Sequence, residues 1–310
     1  MAIPSTQIAA VVSPSGASAN SRVEISNTYP VPEPGEGDIL IKLEFSGVCH
    51  SDLHSILGDT PMKTDVAGHE GNVPGTFQQY IVSPAIHVTR IPWGLSPELA
   101  APLLCAGIAM YSSIMKTSPR PGDWIAILGA GGGLGHMGVQ IAAKKGLRVL
   151  AIDKGEKKKQ LCLSLGAAEF LDFSEVNIVE AVKASTSGLG AHAVICTANS
   201  ERAYEQSMQM LRPLGTLVCV GIPNIPFRLP ATPFDMIVKG EITPISIYLW
   251  LKIVGNSAGT AKEMDELLAM AVAGDVKAHV ECYELRDILD ILGRLERSEI
   301  EGRVVLRIPE

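Results

Sequence analysis

No two of the six cysteines stand at the C-x-x-C spacing of a compact metal finger or a redox pair. Several lie in apolar runs, as Cys196 does in 193–196 and Cys219 in 217–220, and these read as buried thiols. The stretch Met1 to Gly16 lacks a basic segment followed by a sustained apolar core. A secretory leader and a disulfide framework are therefore not expected, and the expected compartment is cytoplasmic. The longest apolar run, Pro244 to Gly255, is too short to span a bilayer and carries Lys252. Positive charge is also scarce: 26 Lys and Arg against 33 Asp and Glu leave a net charge of −7. That balance argues against nucleic acid and against anionic membrane as partners. Internal repeats and low-complexity segments are missing too.

What is present is a globular composition, 46% apolar and 19% charged over 310 residues, long enough for two domains. One complete unit stands out. The run Trp124-Ile125-Ala126-Ile127-Leu128 reads as a strand and is followed by Gly129-Ala130-Gly131-Gly132-Gly133-Leu134-Gly135, then an apolar helical segment. A second strand, Arg148 to Ile152, closes at Asp153. This is a βαβ half of a nucleotide-binding sheet, in which side-chain-free backbone lets N–H groups and a helix amino terminus face a pyrophosphate. The frame that fits is Ala130-x-Gly132-x-x-Gly135. A glycine cluster alone would also suit a turn that binds nothing, but the strand before it and the acid after it favour the dinucleotide. Asp153 would accept both ribose hydroxyls and repel a 2′-phosphate, so NAD is expected rather than NADP.

Around this unit the pattern changes along the chain. Residues 8–12 and 39–45 read as strands joined by a Pro/Gly-rich connection at 29–37, so the beginning is β-rich. A strand-like piece spans 76–82 and a helical run 96–115. Downstream, 169–171, 193–196 and 216–220 read as strands and 262–273 as a helix. That alternation predicts a doubly wound parallel sheet. A helix around 285–295 and a strand at 303–308 end the chain. Titratable residues concentrate in Gly47-Val48-Cys49-His50-Ser51-Asp52-Leu53-His54 and Gly68-His69-Glu70-Gly71. Cys49, His69 and Cys105 supply one imidazole and two thiols, the donor mix of a catalytic zinc with an open position. Their spacing is long, and a lone cysteine on an apolar helix is commonly core, so spacing leaves the metal open.

Those two strings, together with 74–80 (Pro-Gly-Thr-Phe-Gln-Gln-Tyr), 95–108, the glycine cluster and Glu301-Gly302-Arg303-Val304-Val305-Leu306, closely resemble the medium-chain, zinc-dependent alcohol dehydrogenases, most of all those of fungi. The resemblance implies an α/β fold: a Rossmann doubly wound parallel sheet at 108–265 plus a truncated GroES-like β-rich catalytic domain made of 1–107 and 266–310. It implies zinc held by Cys49, His69 and Cys105, with Glu70 able to approach the metal and Asp52 orienting the ligand histidine. Zinc would lower the pKa of an alcohol so that hydride can pass to NAD. Ser51 and His54 match a proton relay ending in an imidazole near bulk water. His50 matches a cationic contact to the pyrophosphate, and Gly131, Gly132, Gly133 and Gly135 match the cofactor turn. Leu134 would back the nicotinamide, Lys158 would join Asp153 at the ribose, and Gly221 with Ile222 would line the nicotinamide pocket.

The chain departs from the family in three places. Almost nothing separates Gly71 from Pro74, where the family carries tens of residues including a four-cysteine lobe for a structural zinc; one catalytic zinc and no structural zinc are expected. Glu241 to Lys252 adds an apolar stretch in a region through which the family pairs subunits and contacts the cofactor, so this departure stands against both, while a homo-oligomer is what the resemblance itself implies. Ala109 replaces a common threonine. Three readings follow: a retained dehydrogenase acting on a small-molecule alcohol, aldehyde or ketone; a scaffold reused for isomerisation, cyclisation or elimination on a bulky substrate; or an inactive truncated paralogue.

Overall fold

The structure, a computed structural model, describes residues 3–12, 23–57, 75–223, 227–229, 251–297 and 299–310. In chain order these form strands β1 (Thr6–Val12), β2 (Val23–Pro30), β3 (Asp38–Lys42) and β4 (Phe45–Val48), then helix α1 (His50–Leu57) and strand β5 (Tyr80–Pro84). Helix α2 (Pro97–Pro102), a π-helical turn (Leu103–Gly107) and α3 (Ile108–Lys116) follow. Next come β6 (Trp124–Leu128), α4 (Gly135–Lys144), β7 (Arg148–Asp153), α5 (Glu156–Ser164), β8 (Glu169–Asp172), α6 (Ile178–Ser185), β9 (Ala191–Cys196), α7 (Glu201–Gln209) and β10 (Leu211–Cys219). The last elements are β11 (Lys252–Gly255), α8 (Ala261–Val272), β12 (Val280–Glu284), α9 (Ile288–Glu296) and β13 (Arg303–Arg307).

Contacts divide the chain into two units, Leu103–Ala278 and Met1–Pro102 with His279–Glu310. In the first, six strands among the described residues form one sheet in the order β8-β7-β6-β9-β10-β11, every neighbour parallel. The order reverses between β6 and β9, the switch point outside whose carboxyl ends such sheets bind ligands. Helices cover the sheet, which is why Ile125, Ala126, Ile127, Val149, Leu150 and Ala151 form near-continuous apolar strands with almost no exposure. Burial of each large aliphatic side chain contributes about 1.5–3 kcal/mol. Caps fix the helix starts: Asn177 accepts from Val179 and Glu180 N–H, Ser200 from Ala203 N–H, and Thr260 with Glu263 closes a capping box on α8.

The expected boundaries at 107/108 and 265/266 differ from the observed ones. The π-helical turn and α8 pack on α3 and so belong with the parallel sheet. Among the described residues one helical run, Pro97–Lys116, is long and apolar enough to cross a membrane, but 67% of its apolar 18-residue window is buried. That burial marks a core helix.

Among its described residues the other unit contains three small sheets, β1-β2, β3-β5 and β12-β13-β4. Its core comes from α1 (Leu53, Ile56), α9 (Ile288, Ile291, Leu292, Leu295) and β13 (Val304, Leu306). The spacing of the four α9 residues is that of one buried helix face. The segment 76–82, expected as a strand, joins β5 only from Tyr80; ahead of it Gln78 makes an isolated antiparallel bridge with Ala9 of β1. Gln79 Oε1 accepts from Ile8 N–H at 2.7 Å, its Nε2 donates to the Pro309 carbonyl at 3.0 Å, and Gln7 Nε2 donates to Gln78 Oε1 at 2.9 Å. These buried amides tie the start of the chain, the middle segment and the carboxyl terminus together. The apolar stretch of 241–250 lies outside the described residues.

Candidate cofactor and metal site

The turn after β6 is built for close backbone approach. Gly129 adopts φ +76°, a conformation side chains rarely take, and a Cβ there would meet Thr197 Oγ1 on the neighbouring strand end at 2.5 Å. At Gly135 a Cβ would fall 2.1 Å from the Gly129 carbonyl, so α4 can start this close to the strand only with glycine. At Gly131 it would strike the Lys158 side chain at 2.7 Å.

Asp153, at the end of β7, is the organising charge. Its side chain is 6% exposed. Oδ2 accepts from the Gly131 N–H at 2.9 Å, while Oδ1 accepts from Lys154 N–H and Lys158 Nζ, both at 2.8 Å. The glycine turn, the acid and the lysine named from sequence are thus brought together. Leu134 precedes α4 at its amino end, beside the partly exposed Gly132 and Gly133.

Gly221 and Ile222 follow β10 and line an open cavity of ≈ 700 Å³. Its walls include Tyr204, Phe227, Lys116 and the strip 255–259 beyond β11. The carbonyl of Ala109, where the family commonly has threonine, accepts from Asn256 Nδ2 at 2.8 Å.

In the other unit, Cys49 immediately precedes α1, with its thiol 3.8 Å from Ser51 Oγ. Asp52 Oδ2 accepts from the Cys49 N–H at 2.7 Å and so fixes the helix start. Burial pushes the Asp52 carboxyl up to about 6, against the opposing pull of the Cys49 N–H and the Arg303 charge. Cys105 is an exposed thiol on a π-helical turn whose neighbours Leu103, Ala106 and Gly107 are buried. A π turn inside an α-helix commonly marks a functional site. His69 and Glu70 lie outside the described residues, and among the described residues no group of three or more donors forms a metal site.

His54, expected near bulk water, is 6% exposed because it shares the inner face of α1 with Leu53 and Ile56. His50, one turn earlier, is the exposed imidazole, with ring centroids 6.2 Å apart. Arg303 carried no role in the sequence reading. It is 5% exposed, its Nε is a buried polar atom without a hydrogen-bond partner among the described residues, and its charge acts on His50 and Asp52. An arginine opening the apolar run Val304-Val305-Leu306 is the signal that points to it.

The parallel sheet with its glycine turn and terminal acid defines a dinucleotide-binding Rossmann unit joined to a β-rich unit. The comparisons narrow this class. A model of the zinc-binding dehydrogenase family matches residues 133–272. Alcohol dehydrogenase 1 of Emericella nidulans is 34% identical over 366 aligned positions that cover 100% of both chains, and an alcohol dehydrogenase of Schizosaccharomyces pombe is 34% identical over 99% of each. Among solved structures, the alcohol dehydrogenase of Aeropyrum pernix superposes with a TM-score of 0.78 at 25% identity, covering 97% of this chain and 99% of its own. The chain belongs to the medium-chain, zinc-binding alcohol dehydrogenase family and is an oxidoreductase. An alignment of 366 positions against 310 residues means that the Emericella relative carries segments this chain lacks.

Proposed function

We propose that the protein oxidises an alcohol, or reduces an aldehyde or ketone, with NAD(H) and one catalytic zinc. The observation that carries this reading is Asp153: a buried carboxylate at a strand end, held by the Gly131 N–H and by Lys158, at the position of a ribose acceptor. The residues fit a dinucleotide. A Cβ at Gly131 would strike the Lys158 side chain and one at Gly135 the Gly129 carbonyl, so the turn presents bare backbone, and Arg303 Nε, buried and without a hydrogen-bond partner among the described residues, is where an anion would relieve it. NAD is favoured over NADP because the Asp153 charge repels a 2′-phosphate and Lys158 is already committed to that carboxylate. In this reading the unit Leu103–Ala278 binds the cofactor and supplies Cys105, while the other unit supplies Cys49 and the proton relay.

The donor set fits zinc in kind: Cys49 and Cys105 present sulfur, with His69 and Glu70 as the further donors. Bound there, zinc would supply Lewis acidity toward the substrate oxygen, and NAD would supply the hydride acceptor. The chain's own residues do the rest. Asp52 holds the Cys49 backbone in place. Ser51 Oγ, exposed beside the Cys49 thiol, takes the substrate's hydroxyl proton. The buried His54 imidazole receives it, with the exposed His50 imidazole, 6.2 Å away between ring centroids, as the next group toward solvent.

A structural zinc is not part of the proposal, since Cys162 and Cys196 are buried separately in α5 and β9 and only Cys219 and Cys282 remain. Six thiols outside disulfides suit the cytoplasm. The test is NADH fluorescence titration and elemental analysis on one purified sample, with an Asp153→Ala control. One zinc per chain with saturable NADH binding supports the reading; NADH binding without zinc rejects the metal-assisted chemistry.

A further inference from the structure

We infer that Asn256, locked by Lys116, is a positioning residue for the nicotinamide end of the cofactor, an inference that rests on the cofactor reading above. Asn256 is 8% exposed and every polar group of its side chain is engaged with α3. Nδ2 donates to the Ala109 carbonyl at 2.8 Å and to Ser113 Oγ at 2.9 Å, and Oδ1 accepts from Lys116 Nζ. Its backbone N–H donates to the Cys219 carbonyl at 2.9 Å, joining it to the end of β10. Ser113 Oγ donates to the same Ala109 carbonyl at 2.7 Å, so the acceptor is itself fixed.

Beyond Asn256 come three small residues, Ser257, Ala258 and Gly259, and then the Thr260–Glu263 capping box. At Gly259 a Cβ would meet Ile108 Cδ1 at 2.6 Å, so this end also lies hard against α3. The strip is therefore anchored at both ends, and it forms one wall of the cavity that Gly221 and Ile222 also line. Short segments rich in glycine and other small residues lose much conformational freedom when ordered. Here that ordering is done by the fold, so the backbone groups of the wall are set before a ligand arrives. Asn256 acts through this wall and need not touch the ligand. Lys116 holds the carbonyl of its amide; without the ammonium a buried acceptor loses its partner.

The test compares NADH with ADP-ribose, which carries the adenosine ribose and pyrophosphate but no nicotinamide, on wild type, Asn256→Ala, Lys116→Met and Lys116→Arg. Thermal unfolding is followed in parallel. The expected result is a rise in NADH Kd of about tenfold for the first two variants, the cost of one unsatisfied buried hydrogen-bonding group. ADP-ribose Kd stays within about twofold, and Lys116→Arg stays near wild type. Should Asn256→Ala fail to fold, Lys116→Met carries the test alone. Unchanged NADH affinity in Lys116→Met, or an equal loss of ADP-ribose affinity, overturns the inference. Wild type that binds neither ligand overturns the cofactor reading on which it rests.

Discussion

Lys158 Nζ lies 2.8 Å from Asp153 Oδ1, and the lysine chain passes over Gly131 so closely that any Cβ there would collide with it. One ion pair thus packs against the glycine turn and holds the acid at the end of β7. Lys158→Met should leave a buried carboxylate with a hydrogen bond fewer and no counter-charge, lowering stability by about 1–3 kcal/mol and NADH affinity about tenfold. Chemical denaturation and NADH titration measure the two effects. Asp153→Asn should shift the NADPH-to-NADH preference by about tenfold toward NADPH, since it removes the repulsion.

Gly135→Ala should be among the most damaging single-methyl changes in the protein. The added carbon would sit 2.1 Å from a backbone carbonyl, where no side chain can rotate away. A loss of about 3 kcal/mol or more is expected, read as reduced soluble yield and a lower melting temperature.

His192 provides the pH dependence. Burial and the Arg212 guanidinium lower its pKa, although Asp123 lies 3.1 Å away and pulls the other way. The folded chain therefore releases the imidazole proton at lower pH than the unfolded chain does. Between the lowered value and the ordinary 6.5 the unfolded chain binds more protons, so stability is full above 6.5 and falls as pH drops through that window. His192→Asn should flatten the fall, measured as melting temperature against pH for both proteins. An unchanged slope would show that other groups carry it.

Thiol accessibility separates core from candidate metal cysteines. Cys162 and Cys196 are buried, their thiols pushed up to about 12 by burial, and should resist alkylation in the folded protein. Cys105 and Cys282 are exposed and should label. Zinc should protect Cys49 and Cys105 but leave Cys282 reactive, as peptide mass spectrometry would read directly.

The parallel sheet was legible in the sequence because its strands are buried on both faces and carry unbroken apolar runs between helices, as in 124–128 and 193–196. β2 was not, since every residue of Val23–Pro30 but the first is exposed or half-buried, the middle is polar and the strand ends in proline. The glycine turn, Asp153 and Lys158 were legible through local chemistry, which needs only neighbours in sequence. The burial of His54 was hidden, because the inner face of α1 is set by its packing in a core shared with α9 and β13, more than 200 positions away. Arg303 and Asn256 were missed for the same reason: each draws its importance from being buried, which a single polar letter in a string does not state.

Zinc-assisted hydride transfer is tested by NAD-dependent alcohol oxidation followed by absorbance before chelation, after chelation and after zinc is restored. Turnover that is lost with the metal and returns with it is the predicted result. Turnover that survives complete removal of zinc, or none at all from protein that binds both zinc and NADH, would contradict it.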